Sequence, residues 1–224
     1  MCGRFSLTTE LDALLERFQI EEISMEDTGP RYNIAPAQQI PAVIRANNRN
    51  RMGTLRWGLI PFWAKDASIS NKLINARSET ADEKASFKHA LQKRRCLILA
   101  DGFYEWKQTA DRKVPMRIQI NGGEPFAMAG LWEKWKDGEE SIYTCTILTT
   151  GANAFMENIH SRMPVILTKE MEEIWLDTNG EDMQIVKDCM HAYPSEQMHA
   201  YEVSTLVNSP KNDVLECIEP IENM

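Results

Sequence analysis

The chain has 224 residues and a formal net charge of −8, and it is 43% hydrophobic and 26% charged, as is typical of one large or two small globular domains. We expect neither a membrane span nor a secretion signal, because the sequence has no apolar run of about 18 residues and does not open with a basic and then an apolar segment. Its five cysteines form no C-x-x-C pair and its four histidines lack metal-ligand spacing, so we predict a reducing, cytoplasmic location without a disulfide framework, metal or cofactor.

Cys2 is the first residue with distinctive chemistry. Because it is small, we expect Met1 to be removed, which leaves an α-amine with a pKa of about 7.7–8.0 and a thiol with a pKa of about 8.5 on one residue. With an aldehyde, such an amine forms a Schiff base and the thiol can close on it to give a thiazolidine. An internal cysteine cannot do this, since its nitrogen is an amide. Alternatively, Cys2 is an ordinary small apolar residue near a chain end.

The next segments predict scaffold elements. A helix capped by Thr8 or Thr9 is indicated by apolar residues at 11, 14, 15 and 18, which share one helical face. An acidic loop is predicted at 21–30 and a polar, turn-rich segment at 31–36. Alternating residues then predict strands at 39–45 and 54–59 around a hairpin tip at 47–51.

A loop with two aromatic residues is predicted at 60–66. Pro61 disfavours a regular strand there, so Phe62 and Trp63 should lie outside regular elements, beside Lys65. Aromatic rings on a basic loop can stack on unpaired bases. The alternative is a loop anchored by burying its own aromatic rings.

Positive charge is concentrated between residues 45 and 117, where 16 basic and 7 acidic side chains leave +9, against −4 before and −13 after this segment. The asymmetry predicts a basic face that can hold phosphates, unless charges from the three segments interleave in space. Within this segment, Asn75 and Arg77 would share one face of an extended chain and could bind a sugar and a phosphate. Alternatively, Asn75 makes a turn and Arg77 pairs with Glu79.

Glu105 lies in the second of two strands predicted after a short helix at 87–91. The strand at 96–100 is apolar on both faces, which predicts burial, and residues 103–107 alternate, with 103, 105 and 107 on one face. If the large neighbouring side chains shield Glu105, its pKa rises toward neutrality, as suits a general acid–base group. The alternative is a surface glutamate paired with Lys107.

The remaining pattern predicts further strands, two hairpin turns and a histidine at a loop end. The strands are predicted at 114–120, 126–132, 141–149, 165–167 and 198–206, the hairpin turns at 121–123 and 137–138, and helices after Thr168 and around Val186. A loop with a short helix at 149–158 leads to His160, a proton shuttle or a structural hydrogen-bonding residue. We predict one compact α+β domain at 2–211, with a mostly antiparallel, barrel-like β core, flanking helices and a solvated acidic tail at 212–224.

Six short motifs occur in order along the chain. They are Met-Cys-Gly-Arg-Phe at 1–5, Arg-Tyr-Asn-Ile-Ala-Pro at 31–36, Trp-Gly at 57–58, Asn-Ala-Arg-Ser-Glu-Thr at 75–80, Asp-Gly-Phe-Tyr-Glu-Trp-Lys at 101–107 and Ile-His-Ser-Arg-Met-Pro at 159–164. Together they resemble the SRAP family, the SOS-response-associated peptidases or abasic-site-processing proteins. The resemblance extends from Cys2 to about Lys211. Any one motif alone would be weak, but six in order make it specific.

This resemblance implies a protein that binds single-stranded DNA and captures the ring-opened aldehyde of an abasic site as a thiazolidine on Cys2. It implies catalytic roles for Cys2 as nucleophile, Asn75 in orienting the lesion or the amine, Glu105 as the acid–base group near the deoxyribose ring oxygen, and His160 on the sugar hydroxyl or as a proton relay. The implied DNA-binding residues are Arg4, Arg77 and Arg162 at phosphates, Thr149 near the sugar, and Phe62, Trp63 and Trp106 against bases. The resemblance also implies lyase activity and autoproteolytic removal of Met1.

Two other functions remain open on the sequence. N-terminal-nucleophile amidohydrolases also begin with Met-Cys-Gly and use the amine as base and the thiol to attack an amide, but their downstream motifs do not occur here. A non-catalytic single-strand-binding module with an inert Cys2 is the second alternative. In each case we expect a monomer without a membrane or metal partner.

Overall fold

The computed structural model describes residues 2–27, 29–179 and 182–221, which form two β-sheets and four short α-helices. The strands are β1 (Phe5–Leu7), β2 (Glu22–Ile23), β3 (Arg31–Ile34), β4 (Gln39–Ala46), β5 (Arg49–Trp57), β6 (Asn75–Arg77), β7 (Arg95–Ala100), β8 (Gly102–Gln108), β9 (Lys113–Ile120), β10 (Phe126–Asp137), β11 (Glu140–Gly151), β12 (Arg162–Pro164), β13 (Ile166–Leu167) and β14 (Met198–Glu202). The helices are α1 (Leu11–Arg17), α2 (Lys88–Lys93), α3 (Lys169–Leu176) and α4 (Met183–Asp188). Among the described residues, no helix has the length and apolar character that crossing a membrane requires.

The larger sheet closes on itself. Its strand order is β12-β11-β10-β7-β4-β5-β2, and β11 also pairs in parallel with β5, with Thr144 opposite Arg56 and Cys145 opposite Trp57. Strands β11, β10, β7, β4 and β5 therefore form a ring in which the other neighbouring pairs are antiparallel. The prediction of a mostly antiparallel, barrel-like α+β domain is confirmed.

Strand β7 is one of the strands of this ring and pairs with β4 on one side and β10 on the other. All of its residues are buried, as the apolar run at 96–100 predicted. Close packing with β10 depends on Gly130, because a Cβ at this position would lie 2.8 Å from the Cys96 Sγ atom. An alanine there would therefore force the two strands apart.

The smaller sheet brings the start of the chain to β8. Its order is β14-β9-β8-β1-β3, and Phe5 of β1 lies opposite Phe103 of the antiparallel β8. The residues just before β1 therefore lie alongside those that follow Phe103. The alternation predicted for β8 is confirmed, because Phe103 packs in the main core and Tyr104 packs in a second cluster with Val203, Val207 and Cys217.

The helices follow the predicted apolar stripes, but one predicted cap is wrong. The Thr168 side chain accepts a hydrogen bond from the Met171 N–H group and caps α3 as predicted. Helix α1 has Glu10 at its N-cap and no side-chain cap. Thr8 and Thr9 instead donate to the Asp101 carboxylate, with the Thr8 Oγ1 atom at 2.8 Å and the Thr9 nitrogen at 3.1 Å. A capping threonine must turn its hydroxyl oxygen to the helix N–H groups as an acceptor, whereas here both threonines serve as donors in charge-assisted hydrogen bonds to a buried carboxylate.

One predicted hairpin turn does not join paired strands. The turn at 137–138 connects β10 and β11, as predicted. The turn at 121–123 has positive φ angles at all three residues, yet it leads from β9 in the smaller sheet to β10 in the larger one. Turn residues specify a chain reversal but not the partner of the next strand, so the pairing had to come from the tertiary structure.

The ends of two other segments also differ from the sequence prediction. The polar segment at 31–36 contains β3, which pairs with β1, and the last strand ends at Glu202 rather than 206. Part of the predicted solvated tail is packed, because Asp213 bonds to β3 and Cys217 is fully buried. The charge pattern of the tail could not predict the Asp213 contact, because Tyr32 and Asn33, which bond to Asp213, lie about 180 positions earlier.

Candidate active site

Cys2 lies immediately before β1 and is fully buried. Its Sγ atom is 4.0 Å from the Arg4 carbonyl oxygen. Burial, and secondarily the negative charge of Glu105, raise the pKa of the Cys2 thiol to about 12. The thiol is therefore neutral at pH 7 and needs a base, or an electrophile already in place, before its sulfur can react.

Asn75 holds the main chain of Cys2. Its strand β6 pairs in parallel with β11, with Asn75 opposite Ile147, and the Asn75 Nδ2 atom donates to the Cys2 carbonyl oxygen at 2.8 Å. The Asn75 Oδ1 atom is buried and has no hydrogen-bond partner among the described residues. The amide thus fixes residue 2 with one end and leaves an acceptor within the site with the other. The interpretation of Asn75 as a turn residue is wrong.

Glu105 is buried, with 3% of its surface exposed, whereas Lys107 is exposed. The interpretation as a surface glutamate paired with Lys107 is therefore wrong. Burial raises the pKa of the Glu105 carboxyl, and the nearby His160 partly opposes this rise. A carboxyl that keeps its proton to higher pH than an ordinary glutamate is suited to the role of general acid.

His160 lies in the loop before β12, and its ring orientation is fixed by Arg162. The Arg162 backbone N–H group donates to the His160 Nδ1 atom at 3.0 Å. The same Nδ1 atom lies 3.2 Å from the Arg162 carbonyl oxygen, so the Arg162 backbone holds the ring through Nδ1 whichever nitrogen carries the proton. The effect of His160 on the pKa of Glu105 places the two side chains in one electrostatic cluster. The structure thus brings together Cys2, Asn75, Glu105 and His160.

Arg162 is held by Glu79 and Thr149. Its guanidinium forms a two-pronged ion pair with the Glu79 carboxylate, and its Nη2 atom donates to the Thr149 carbonyl oxygen at 2.6 Å. This pair lowers the pKa of Glu79. Glu79 therefore pairs with Arg162, whereas Arg77 is exposed and acts on Glu79 only through its charge. Thr149 is buried and donates from Oγ1 to the Ala76 carbonyl oxygen at 3.4 Å.

Arg4 is partly buried, and one of its nitrogen atoms makes internal hydrogen bonds. The Arg4 Nη1 atom donates to Asn33 Oδ1 at 2.7 Å and to the Val207 carbonyl oxygen at 2.5 Å. Burial lowers the pKa of this guanidinium. Arg4 therefore joins the start of the chain to residues near its end, whatever else it binds.

The aromatic loop is anchored without burying its two aromatic rings. Phe62 and Trp63 are 53% and 47% exposed, so the alternative of self-buried rings is wrong. The loop backbone is held instead by Thr144, whose Oγ1 atom accepts from the Ile60 N–H group at 2.9 Å, and by Trp135, whose Nε1 atom donates to the Ala64 carbonyl oxygen at 2.7 Å. These two contacts leave the Phe62 and Trp63 side chains accessible.

The predicted basic segment is partly neutralised. Six of its arginines form ion pairs with acidic residues, namely Arg45 with Glu173, Arg49 and Arg51 with Glu22, Arg94 with Glu133, Arg112 with Glu202 and Arg117 with Asp101. Charges from the three segments thus interleave in part. Lys65, Lys72, Asp66 and Trp63 line a surface recess of about 450 Å³, so two lysines, one aspartate and an aromatic ring lie together there.

Sequence reasoning missed several residues that position the site. Glu79, Asn33, Thr144 and Trp135 act through contacts with residues distant in the chain. Glu79 and Asn33 lie inside motifs that the sequence singled out, which was the available signal. No group of three or more metal-binding side chains occurs within the described residues.

Comparison with known proteins gave matches over nearly the whole chain. A family model described as "SOS response associated peptidase (SRAP)" matches residues 1–210. "Abasic site processing protein YoqW" of Bacillus subtilis (strain 168) is 50% identical over 222 residues, covering 98% of this chain and 99% of the relative. "Abasic site processing protein HMCES" of Gallus gallus is 35% identical over 230 residues, covering 86% and 67%. A crystal structure of a protein from Bacteroides thetaiotaomicron aligns with a TM-score of 0.87 and 26% identity, covering 98% and 99%.

Proposed function

Because this chain belongs to the SRAP family, we propose that it captures abasic sites in single-stranded DNA as a covalent thiazolidine on Cys2, after Met1 is removed. The observation that carries the proposal is the placement of Cys2. Its carbonyl oxygen accepts a hydrogen bond from Asn75, and its thiol is close enough to Glu105 for the negative charge to raise the thiol pKa. The amine of a processed Cys2 would then begin the reaction beside a carboxyl group.

The proposed chemistry has two covalent steps. The Cys2 amine adds to the C1′ aldehyde of the ring-opened deoxyribose, and loss of one water leaves an imine. The thiol then adds across the C=N bond, so that sulfur bonds to C1′ and the thiol proton passes to nitrogen. Because burial raises the pKa of the thiol to about 12, the sulfur is expected to react second, after the imine has provided a strong electrophile.

Glu105 and His160 would move the protons. Glu105 keeps its proton to higher pH than an ordinary glutamate, so it can protonate the deoxyribose ring oxygen as the ring opens. His160, whose ring is held through Nδ1 by the Arg162 backbone, would bind the sugar hydroxyl or relay a proton. Reversal of the adduct uses the same groups and adds back one water.

DNA binding would combine charge and stacking. Arg77 is exposed and could bind a phosphate directly. Arg4 and Arg162 would bind phosphates through the guanidinium N–H groups that their internal hydrogen bonds do not use. Thr149 would lie near the sugar. The exposed Phe62 and Trp63, with the partly exposed Trp106, would stack on bases or wedge between them.

The proposal includes further properties. The imine acidifies C2′, so β-elimination, an AP-lyase activity, would compete with closure of the thiazolidine and would cleave the strand. Closure removes the imine and shields the lesion. Autoproteolytic removal of Met1, a role in the SOS response, a cytoplasmic location and a monomeric state belong to the same proposal.

Intact mass measurement tests this function directly. Incubation with a single-stranded oligonucleotide that carries one abasic site should give a species with the mass of the Met1-free protein plus the oligonucleotide, less one water. Proteolysis should place the adduct on the peptide that begins with Cys2. An adduct on another peptide, or an adduct on protein that retains Met1, would disprove the proposal. The same oligonucleotide with an intact base is the control and should give no adduct.

Asn75→Ala should slow capture at saturating DNA by about 5-fold, because the lost hydrogen bond to the Cys2 carbonyl oxygen is worth on the order of 1 kcal/mol and helps to fix residue 2. The rate of adduct formation in single-turnover gel assays measures this effect. Asn158→Ala removes an exposed asparagine that bonds within its own turn, to Ala154, and should leave the rate unchanged. Equal rates for the Asn75 variant and the wild type would count against this positioning role.

A further inference from the structure

The segment at 204–213, called here the C-terminal strap, is held against the smaller sheet by Asn33. The buried Asn33 side chain donates from Nδ2 to the carbonyl oxygens of Val207, Ser209 and Asn212, at 3.3, 3.0 and 2.6 Å. One amide nitrogen thus bonds to three backbone carbonyl groups of the strap. This arrangement fixes the path of the strap.

Asp213 fixes the far end of the strap. Its carboxylate accepts hydrogen bonds from the backbone N–H groups of Tyr32 and Asn33, at 2.6 and 2.9 Å, and from the Arg31 Nε atom at 2.6 Å. The motif at 31–36, which has no part in the proposed chemistry, therefore anchors the strap. Asp213 lies two positions beyond the domain limit predicted at 211, yet it contacts the smaller sheet.

The strap contacts two residues of the proposed site, Arg4 just before β1 and Trp106 in β8. The Arg4 Nη1 atom donates to the Val207 carbonyl oxygen, and the Trp106 Nε1 atom donates to the Asn208 Oδ1 atom at 2.7 Å. Trp106 is partly exposed, and Leu206, two positions before Asn208, is 43% exposed. The partly exposed Trp106 indole is thus fixed by a hydrogen bond to the strap, which also carries an exposed apolar side chain.

We propose that the C-terminal strap forms a wall of the nucleic-acid site and that Asn208 is a positioning residue that fixes the Trp106 ring for stacking on a base. This inference rests on the proposed DNA binding. An indole already held in its bound orientation loses less rotational freedom when a base stacks on it, so binding is tighter than with a free ring. The effect should appear in affinity and not in the rate of the covalent steps.

The test is a double-mutant cycle on this hydrogen bond. Asn208→Ala removes the acceptor, and Trp106→Phe removes the donor while keeping an aromatic ring. The dissociation constant for an undamaged single-stranded oligonucleotide, measured by fluorescence anisotropy, should rise about 3- to 10-fold in each single variant, the range of one hydrogen bond. The double variant should be no weaker than the weaker single variant. For Asn208→Ala, which keeps the Trp106 ring, the capture rate at saturating abasic DNA should stay within about twofold of wild type.

Gln184→Ala is the matched control, because this exposed amide bonds to Asp188 in α4 and should leave the affinity unchanged. Thermal melting verifies that each variant is folded. Unchanged affinity in Asn208→Ala, or fully additive effects in the double variant, would overturn the positioning role even if capture proceeds normally. If affinity responds as expected and no covalent adduct forms in any variant, the strap inference stands and the proposed capture chemistry fails.

Discussion

Cys2→Ser is expected to lower the yield of heat-stable DNA adduct by about 10³-fold or more, the scale seen when a covalent nucleophile is deleted. The variant keeps the α-amine, so it can still form an imine with the C1′ aldehyde. A hydroxyl group closes on an imine far less effectively than a thiol, so the imine would persist, hydrolyse or undergo β-elimination. Denaturing gels after heating, with and without borohydride trapping, measure the stable adduct, the imine and the cleaved strand separately.

The amounts of stable adduct, imine and cleaved strand distinguish covalent capture from non-covalent DNA binding. Borohydride should trap the Cys2→Ser imine, and strand cleavage should exceed that of the wild type, because closure no longer removes the imine. Cys189→Ser is the matched control: its thiol donates to the Ile185 carbonyl oxygen in α4, a bond that serine can retain, and its adduct yield should equal that of the wild type. A heat-stable band of wild-type intensity in Cys2→Ser would rule out the thiazolidine.

Glu105→Gln is expected to slow capture by about 10²- to 10⁴-fold, the usual contribution of a positioned acid–base group. The amide keeps the shape of the side chain but cannot donate a carboxyl proton. Burial raises the pKa of Glu105, so the wild-type rate should fall as pH increases through that raised pKa, and this limb should be absent from the variant. Single-turnover rates across pH, at saturating abasic DNA, measure both effects.

The same substitution should stabilise the protein at neutral pH. A carboxyl whose pKa is raised by folding binds its proton more tightly in the folded state, so folding is favoured at low pH and disfavoured as pH rises above the unfolded value of about 4.3. Glutamine removes this cost. The melting temperature of Glu105→Gln should therefore exceed that of the wild type at pH 7–8, and the difference should shrink toward pH 4.

Glu172→Gln is the matched control, because Glu172 is also buried with a raised pKa but pairs with Arg17, at 2.7 Å. This variant removes the ion pair with Arg17 far from the proposed site and should capture DNA at the wild-type rate. A Glu105→Gln variant with the wild-type rate and pH profile would remove Glu105 from the mechanism.

The family and most elements could be read from the sequence. The motifs at both ends of the chain led to the SRAP family, which the family model and relatives confirm. The stripe of α1, the uniformly apolar β7 and the alternation of β8 were correct, because each depends on the spacing of near neighbours along one element. These local rules also identified Glu105 as a residue whose burial would matter.

Tertiary structure decided what those residues contact. Asn75 bonds to Cys2 across 73 positions, and Arg4 bonds to Val207 across 203. The parallel β11–β5 pairing, the Arg162–Glu79 ion pair and the anchored strap likewise join distant segments. The sequence alone thus determined which chemical groups are present and in which elements they lie. Burial of Glu105, closure of the barrel and the partners of each arginine depend on how separate segments share one core, and no local pattern encodes that choice.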